Sequence, residues 1–134
     1  MNYTIELSEN RKFFRIRPKV PITTKIVRQW AVELTEMSHA HGILHFLFDV
    51  RDVKNVSTIL ENYMFSYNEA EELKLQKNVR SAILVNQEDE SHDFVETTMK
   101  NVGYNVRLFT DEASALKWME QEIEKEIEGS DLHI

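Results

Sequence analysis

His39, His41 and His45 form the most metal-like group of side chains in the sequence. A zinc site needs three or four ligands converging from fixed directions, usually at a short and recognisable spacing. Here the imidazoles would have to come from a helix end, a loop and a strand, with no carboxylate at a matching interval. They read as helix-end and surface histidines, the first two favourably placed against terminal carbonyls. No metal site is expected.

Asp49 and Asp52 lie at the end of an apolar run and raise the question of a phospho-receiver or a magnesium site. That chemistry takes carboxylates from two strand ends and commonly a lysine from a third. The other strand ends offer Arg17-Pro18-Lys19 and Phe109-Thr110, so the acidic set is incomplete. Asp49 is expected to fix the turn behind its strand or to cap the helix that follows. Ser57 and Thr58, at the start of that helix, read as first-turn residues that satisfy free backbone amides. Glycine occurs only at 42, 103 and 129, which leaves no phosphate-cradling loop and no nucleophile elbow. The absence of cysteine removes thiolate catalysis, thiolate metal sites and disulfides together. The expectation is a protein without enzymatic activity and without a cofactor.

Trp30, Tyr63, Met64, Phe65, Tyr67 and Trp118 supply aromatic and thioether surface for an apolar pocket, but their helical spacing assigns most of them to an ordinary core. Phe65 falls off the face shared by Tyr63, Met64 and Tyr67. It is expected at a second surface or an interface.

The elements that position these residues are organised around Ile43 to Val50, a short run rich in aromatic and branched side chains that reads as a central buried strand. Before it, Tyr3, Ile5 and Leu7 alternate with polar residues, and a second strand over Phe13 to Arg17 completes a tight hairpin. Thr23 or Thr24 caps a helix whose inner face is Ile26, Val27, Trp30, Leu34 and Met37. After the central strand, a second helix opens near Asn55, with Val56, Ile59, Leu60, Tyr63, Met64 and Tyr67 at three-and-four spacing. Ser81 to Val85 is the next strand. A third helix opens near Ser91 and ends at Gly103, Asn105 to Phe109 is the last strand, and Thr110 caps a final helix. From about 120 the chain is acidic, and its like charges predict fraying.

A length of 134 residues suits one domain, spanning 1–134, and 42% hydrophobic with 29% charged residues describes a folded, helix-rich chain. The net charge of -7 argues against a nucleic-acid partner. No apolar stretch approaches the ~20 residues of a membrane span, and no basic segment with an apolar core opens the chain. A cytoplasmic location is expected.

A hairpin followed by alternating helices and strands predicts an α/β fold with a mixed five-stranded sheet: an N-terminal antiparallel pair, then parallel βα units. Phe46-Leu47-Phe48-Asp49-Val50, Val79-Arg80-Ser81-Ala82-Ile83-Leu84-Val85, and above all Val106-Arg107-Leu108-Phe109-Thr110-Asp111-Glu112-Ala113-Ser114-Ala115-Leu116-Lys117-Trp118-Met119 resemble the SpoIIAA-like, or STAS-like, small bacterial proteins, a fold related to the lipid-carrier Sec14 domain. In the partner-switching members a serine at the start of the helix after the central strand is phosphorylated. This chain has Lys54-Asn55-Val56-Ser57-Thr58 there and lacks the aspartate-serine-serine-glycine signature.

Two readings follow. The first is a regulatory or protein-interaction domain working through the edge from Asp49 to Thr58 and through Phe65, with a protein partner or a second copy of the chain. The alternative is a carrier or sensor of a small, lipid-like apolar ligand held between the second helix and the sheet.

Overall fold

The computed structural model describes residues 2–56, 79–101 and 103–131. Ser57, Thr58, Phe65 and most of the expected second helix lie outside the described residues.

Strands β1 (Tyr3–Leu7) and β2 (Phe14–Pro18) form an antiparallel hairpin with Ile5 opposite Ile16. The Ser8 hydroxyl closes its turn, accepting from the backbone of Lys12 and Phe13 at 3.1 and 3.2 Å. Helix α1 (Thr24–His41) follows, and of the two candidate caps Thr23 is the one used, accepting from the Ile26 amide at 3.4 Å. Gly42 ends the helix in the left-handed region at φ 66° and returns its N–H to the Ser38 carbonyl at 2.8 Å. This is a conformation that glycine adopts without the penalty of a Cβ.

Strand β3 (His45–Asp49) is the central strand that the sequence predicts. After it come β4 (Arg80–Leu84), α2 (Asp93–Asn101), β5 (Asn105–Phe109) and α3 (Glu112–Asp131). The sheet order is β1-β2-β3-β4-β5, antiparallel in the first pair and parallel in the rest, as expected.

Two boundaries differ from the sequence reading. Helix α2 starts at Asp93 rather than near Ser91, because Ser91 is engaged in the preceding loop. Asp111, not Thr110, caps α3: its carboxylate accepts from the Ser114 amide at 2.8 Å, and that bond holds it below the usual carboxylate range. The acidic segment expected to fray continues as helix through Asp131.

Alternation along the strands separates two cores. Phe14, Ile16, Phe46 and Phe48 point to one face and pack with Ile26, Trp30 and Leu34 of α1. Val106 and Ile83 meet Met99 of α2 on that same face. Two crossover helices on one side is what right-handed connections stepping steadily across a sheet require. The opposite face carries Leu47, Ala82 and Leu84 and is covered by Ala115, Trp118 and Met119 of α3. Phe14, Ile16, Leu47, Leu84 and Met119 are among the largest fully buried side chains, each stabilising the fold by roughly 1.5–3 kcal/mol relative to an exposed position.

Candidate functional site

The C-terminal ends of the parallel strands gather an arginine-rich cluster around Asp49. Arg15 and Arg17 alternate with Ile16 on β2, so both guanidiniums project to the face opposite the α1 core. The parallel register brings them beside Asp49, at 3.5 Å for Arg15 and 3.4 Å for Arg17. Arg51, in the turn after β3, grips the same carboxylate with two bonds, Nε to Oδ1 at 2.9 Å and Nη2 to Oδ2 at 2.7 Å. Arg15 also pairs with Glu112 at the start of α3, at 2.6 Å.

Burial opposes ionisation of Asp49, but the hydrogen bonds and charge of Arg51, reinforced by Arg17, outweigh it and hold the carboxyl below its ordinary value. Arg51 is correspondingly pushed further up. With both oxygens engaged, Asp49 is an anchor for the strand end and not a free base. The expectation that it fixes the turn holds, and the arginines are what sequence reasoning missed. Their signal was the Arg-x-Arg spacing on a strand, which puts both on one face. Asp52 is exposed in the same turn.

The three clustered histidines do not converge. His39 and His41 occupy the exposed last turn of α1, where His41 lies edge-on to Phe14 at 5.7 Å between ring centroids. His45 is buried on β3, on the face of Leu47 and Asp49. Burial, helped by the charge of Arg80 and opposed by Glu122, lowers its pKa to about 4, so it is neutral. Among the described residues no three His, Asp or Glu side chains come together as metal ligands.

A different histidine occupies the strand-end edge. His92, buried just ahead of α2, has Nε2 3.5 Å from Asp89 Oδ2. Asp89 in turn accepts from the Ser91 amide at 2.9 Å, and the Ser91 hydroxyl accepts from the Asn55 amide at 3.0 Å. Desolvation pushes His92 below its ordinary pKa against the pull of Asp89. This network ties the loop after β4 to the loop after β3. Sequence reading did not single this network out, although Asp89-x-Ser91-His92 immediately before a helix was the available sign.

Beside His92 lies a cavity of about 190 Å³ between α1, α2 and the central strands. Its walls include Trp30 and Leu34 of α1, Phe46 and Phe48 of β3, Ile83 of β4 and Met99 of α2. An apolar pocket with a few polar groups at one end is the usual form of a small-molecule site. Of the aromatic residues singled out from the sequence, Trp30 lines this cavity, whereas Trp118 packs on the other face against Phe109 at 5.6 Å. Tyr63, Met64, Phe65 and Tyr67 lie outside the described residues. No helix among the described residues is long and apolar enough to cross a membrane.

Among solved structures, an uncharacterised protein from Shewanella loihica PV-4, described as a DUF3478 family member with a SpoIIAA-like fold, superimposes with a TM-score of 0.56 over 87% of this chain and 91% of its own, at 20% sequence identity. The fold is SpoIIAA-like. No protein-family model matches the sequence, and no curated protein matches it. In this SpoIIAA-like chain the strand order never reverses from β1 to β5. Among the described residues there is therefore no switch-point crevice of the kind at which open α/β sheets usually bind ligands, and the cavity lies on the α1 and α2 face.

Proposed function

We propose that this SpoIIAA-like domain is a non-enzymatic binding module that holds a small apolar molecule in the cavity between α1, α2 and the sheet. The observation that carries the reading is the cavity itself, about 190 Å³ walled largely by aliphatic and aromatic side chains. Filling such a space restores dispersion contacts and removes the ligand's apolar surface from water. The carboxylate of Asp49 at the end of β3 is held by arginines and is not free to act as a base.

Gentle purification followed by native mass spectrometry tests this. A retained apolar molecule is expected, and Ser81→Leu, which puts a larger side chain into the wall, should empty the site while leaving the fold intact. A bare wild-type chain that also shows no thermal stabilisation with a panel of apolar compounds refutes the reading, since any occupant selective for the folded state must raise the midpoint.

A second reading is a regulatory domain that binds a protein, or a second copy of itself, through the edge from Asp49 to Thr58. It is favoured by the Arg17 and Arg51 side chains, which remain 53% and 40% exposed although the chain as a whole carries a charge of -7. Exposed arginines are common anchors for acidic surfaces. Arg17→Glu should then abolish any complex isolated with the protein, and a complex that survives the charge reversal would remove this reading.

A further inference from the structure

We propose that β1 pairs antiparallel with β1 of a second copy of the chain, about a two-fold axis at Ile5, so that the two sheets become one continuous sheet. The inference is independent of the cavity and uses a surface other than the edge from Asp49 to Thr58.

The backbone sets the geometry. The hairpin bonds the Ser8 N–H to the Phe13 carbonyl at 2.9 Å and the Lys19 N–H to the Asn2 carbonyl at 2.7 Å. Along an antiparallel strand the residues that exchange bonds with the neighbour alternate, so Thr4 and Glu6 face β2 while Tyr3, Ile5 and Leu7 turn their amides and carbonyls outward. β1 is the last strand on its side of the sheet, and among the described residues no backbone group pairs with these outward ones. The opposite edge is different. There the Leu108 amide of β5 donates to the Glu96 carboxylate of α2 at 2.5 Å. A side chain stoppers one edge, whereas the other presents a template for a further strand.

The occupant follows from self-complementarity. A two-fold axis at Ile5 sets Ile5 against the partner's Ile5 and Tyr3 against the partner's Leu7, each facing pair exchanging two bonds, and all the outward groups of these residues are then met. On the face toward α1 the registered neighbours form an apolar row of Ile16, Ile5, the partner's Ile5 and the partner's Ile16. On the other face the row is Arg15, Glu6, the partner's Thr4 and the partner's Arg17. The exposed Glu6 thus meets a neutral residue with an exposed guanidinium just beyond it. A register that set Glu6 against the partner's Glu6 would oppose like charges and pair fewer groups. Val32, 53% exposed on the adjoining flank of α1, shares a hollow with Tyr3 and gives the junction an apolar shoulder.

So short a strand pair predicts a dissociation constant on the order of 10–100 µM. Sedimentation velocity on the full chain from about 1 to 500 µM should therefore show one chain mass giving way to two. Thr4→Glu lies beside Arg17 within the chain but faces the partner's Glu6, so it should weaken the dimer about fivefold, and Thr4→Lys should tighten it about fivefold. A role of Thr4 inside the monomer predicts no such opposed pair. In wild type, amide exchange at Tyr3, Ile5 and Leu7 should slow as the dimer forms, with Thr4 and Glu6 little changed. A chain that stays single at the highest concentration overturns the proposal. So does a dimer whose affinity the two substitutions move in the same direction or not at all, or one that leaves the three outward amides exchanging as before.

Discussion

Asp49→Asn keeps the shape of the side chain at the end of β3 and removes the charge that holds three guanidiniums. The wild-type carboxylate receives two charge-assisted bonds from Arg51, at 2.9 and 2.7 Å, and lies 3.4 Å from Arg17. Breaking a fully buried ion pair costs about 3–5 kcal/mol, but that figure applies when the orphaned partner stays dry. Here the Arg51 and Arg17 side chains are 40% and 53% exposed, so water re-solvates them once the carboxylate is gone, and the more buried Arg15 keeps Glu112 at 2.6 Å. The asparagine also retains one acceptor oxygen. The expected loss is therefore that of one or two exposed charge-assisted bonds, about 2 kcal/mol.

In urea denaturation, with a slope of about 1.5–2 kcal/mol per molar for a chain of this size, the midpoint should fall by about 1 M with the slope unchanged. Arg51→Ala in the Asp49→Asn background should add little, because the two substitutions remove the same interaction. Acid should act in the same sense. The folded carboxyl has a lowered pKa, so its contribution is complete above the ordinary value of 3.8 and is lost as pH falls through the lower folded value. Wild type and Asp49→Asn should converge there. A variant within about 0.5 kcal/mol of wild type at neutral pH, or strict additivity with Arg51→Ala, would refute the assignment of Asp49 as the anchor.

Three further outcomes follow from other parts of the molecule. His45 titrates near 4 when folded and near 6.5 when unfolded, so its contribution is whole above 6.5 and fades as pH falls toward 4. The unfolding free energy of wild type from urea curves should drop across that range by up to about 3 kcal/mol, and His45→Gln should flatten part of the slope. Gly42→Ala meets no atom within 4 Å but must hold φ at +66°, so unfolding should show a loss of about 1 kcal/mol from backbone strain alone. Tyr3 donates to Glu33, and that bond, aided by burial and the carboxylate charge, lifts its pKa to about 12. Alkaline difference spectra should show this tyrosine ionising late, and Glu33→Gln should bring it back toward 10.

The fold was legible because periodicity is local. Tyr3, Ile5 and Leu7 announce an alternating strand within five residues, and Thr23 with Gly42 brackets α1 by cap chemistry alone. The strand-end cluster was not legible in the same way. Arg15 and Arg17 reach Asp49 only because β2 pairs in parallel with β3 in the register that sets Arg15 opposite Leu47, a relation between distant segments. Asp111 was misjudged in favour of Thr110 because both are good capping types and only the backbone decides between neighbours. His92 was not singled out, since burial of a single histidine leaves no trace in a hydrophobic period. The cavity is a deficit of packing between helices, and no pattern along one chain encodes a deficit.

The unreversed strand order has a consequence for synthesis. Each strand of the sheet pairs with one made before it, so the sheet can grow by accretion as the chain leaves the ribosome. The helices α1 and α2 arrive in step with their strands and cover one side as it forms. The side carrying Leu47, Ala82 and Leu84 must wait for Ala115, Trp118 and Met119. At translation rates of about 5–20 residues per second that leaves an adhesive apolar surface bare for a few seconds. The nascent chain should therefore engage a holding chaperone in that interval and release it when α3 docks.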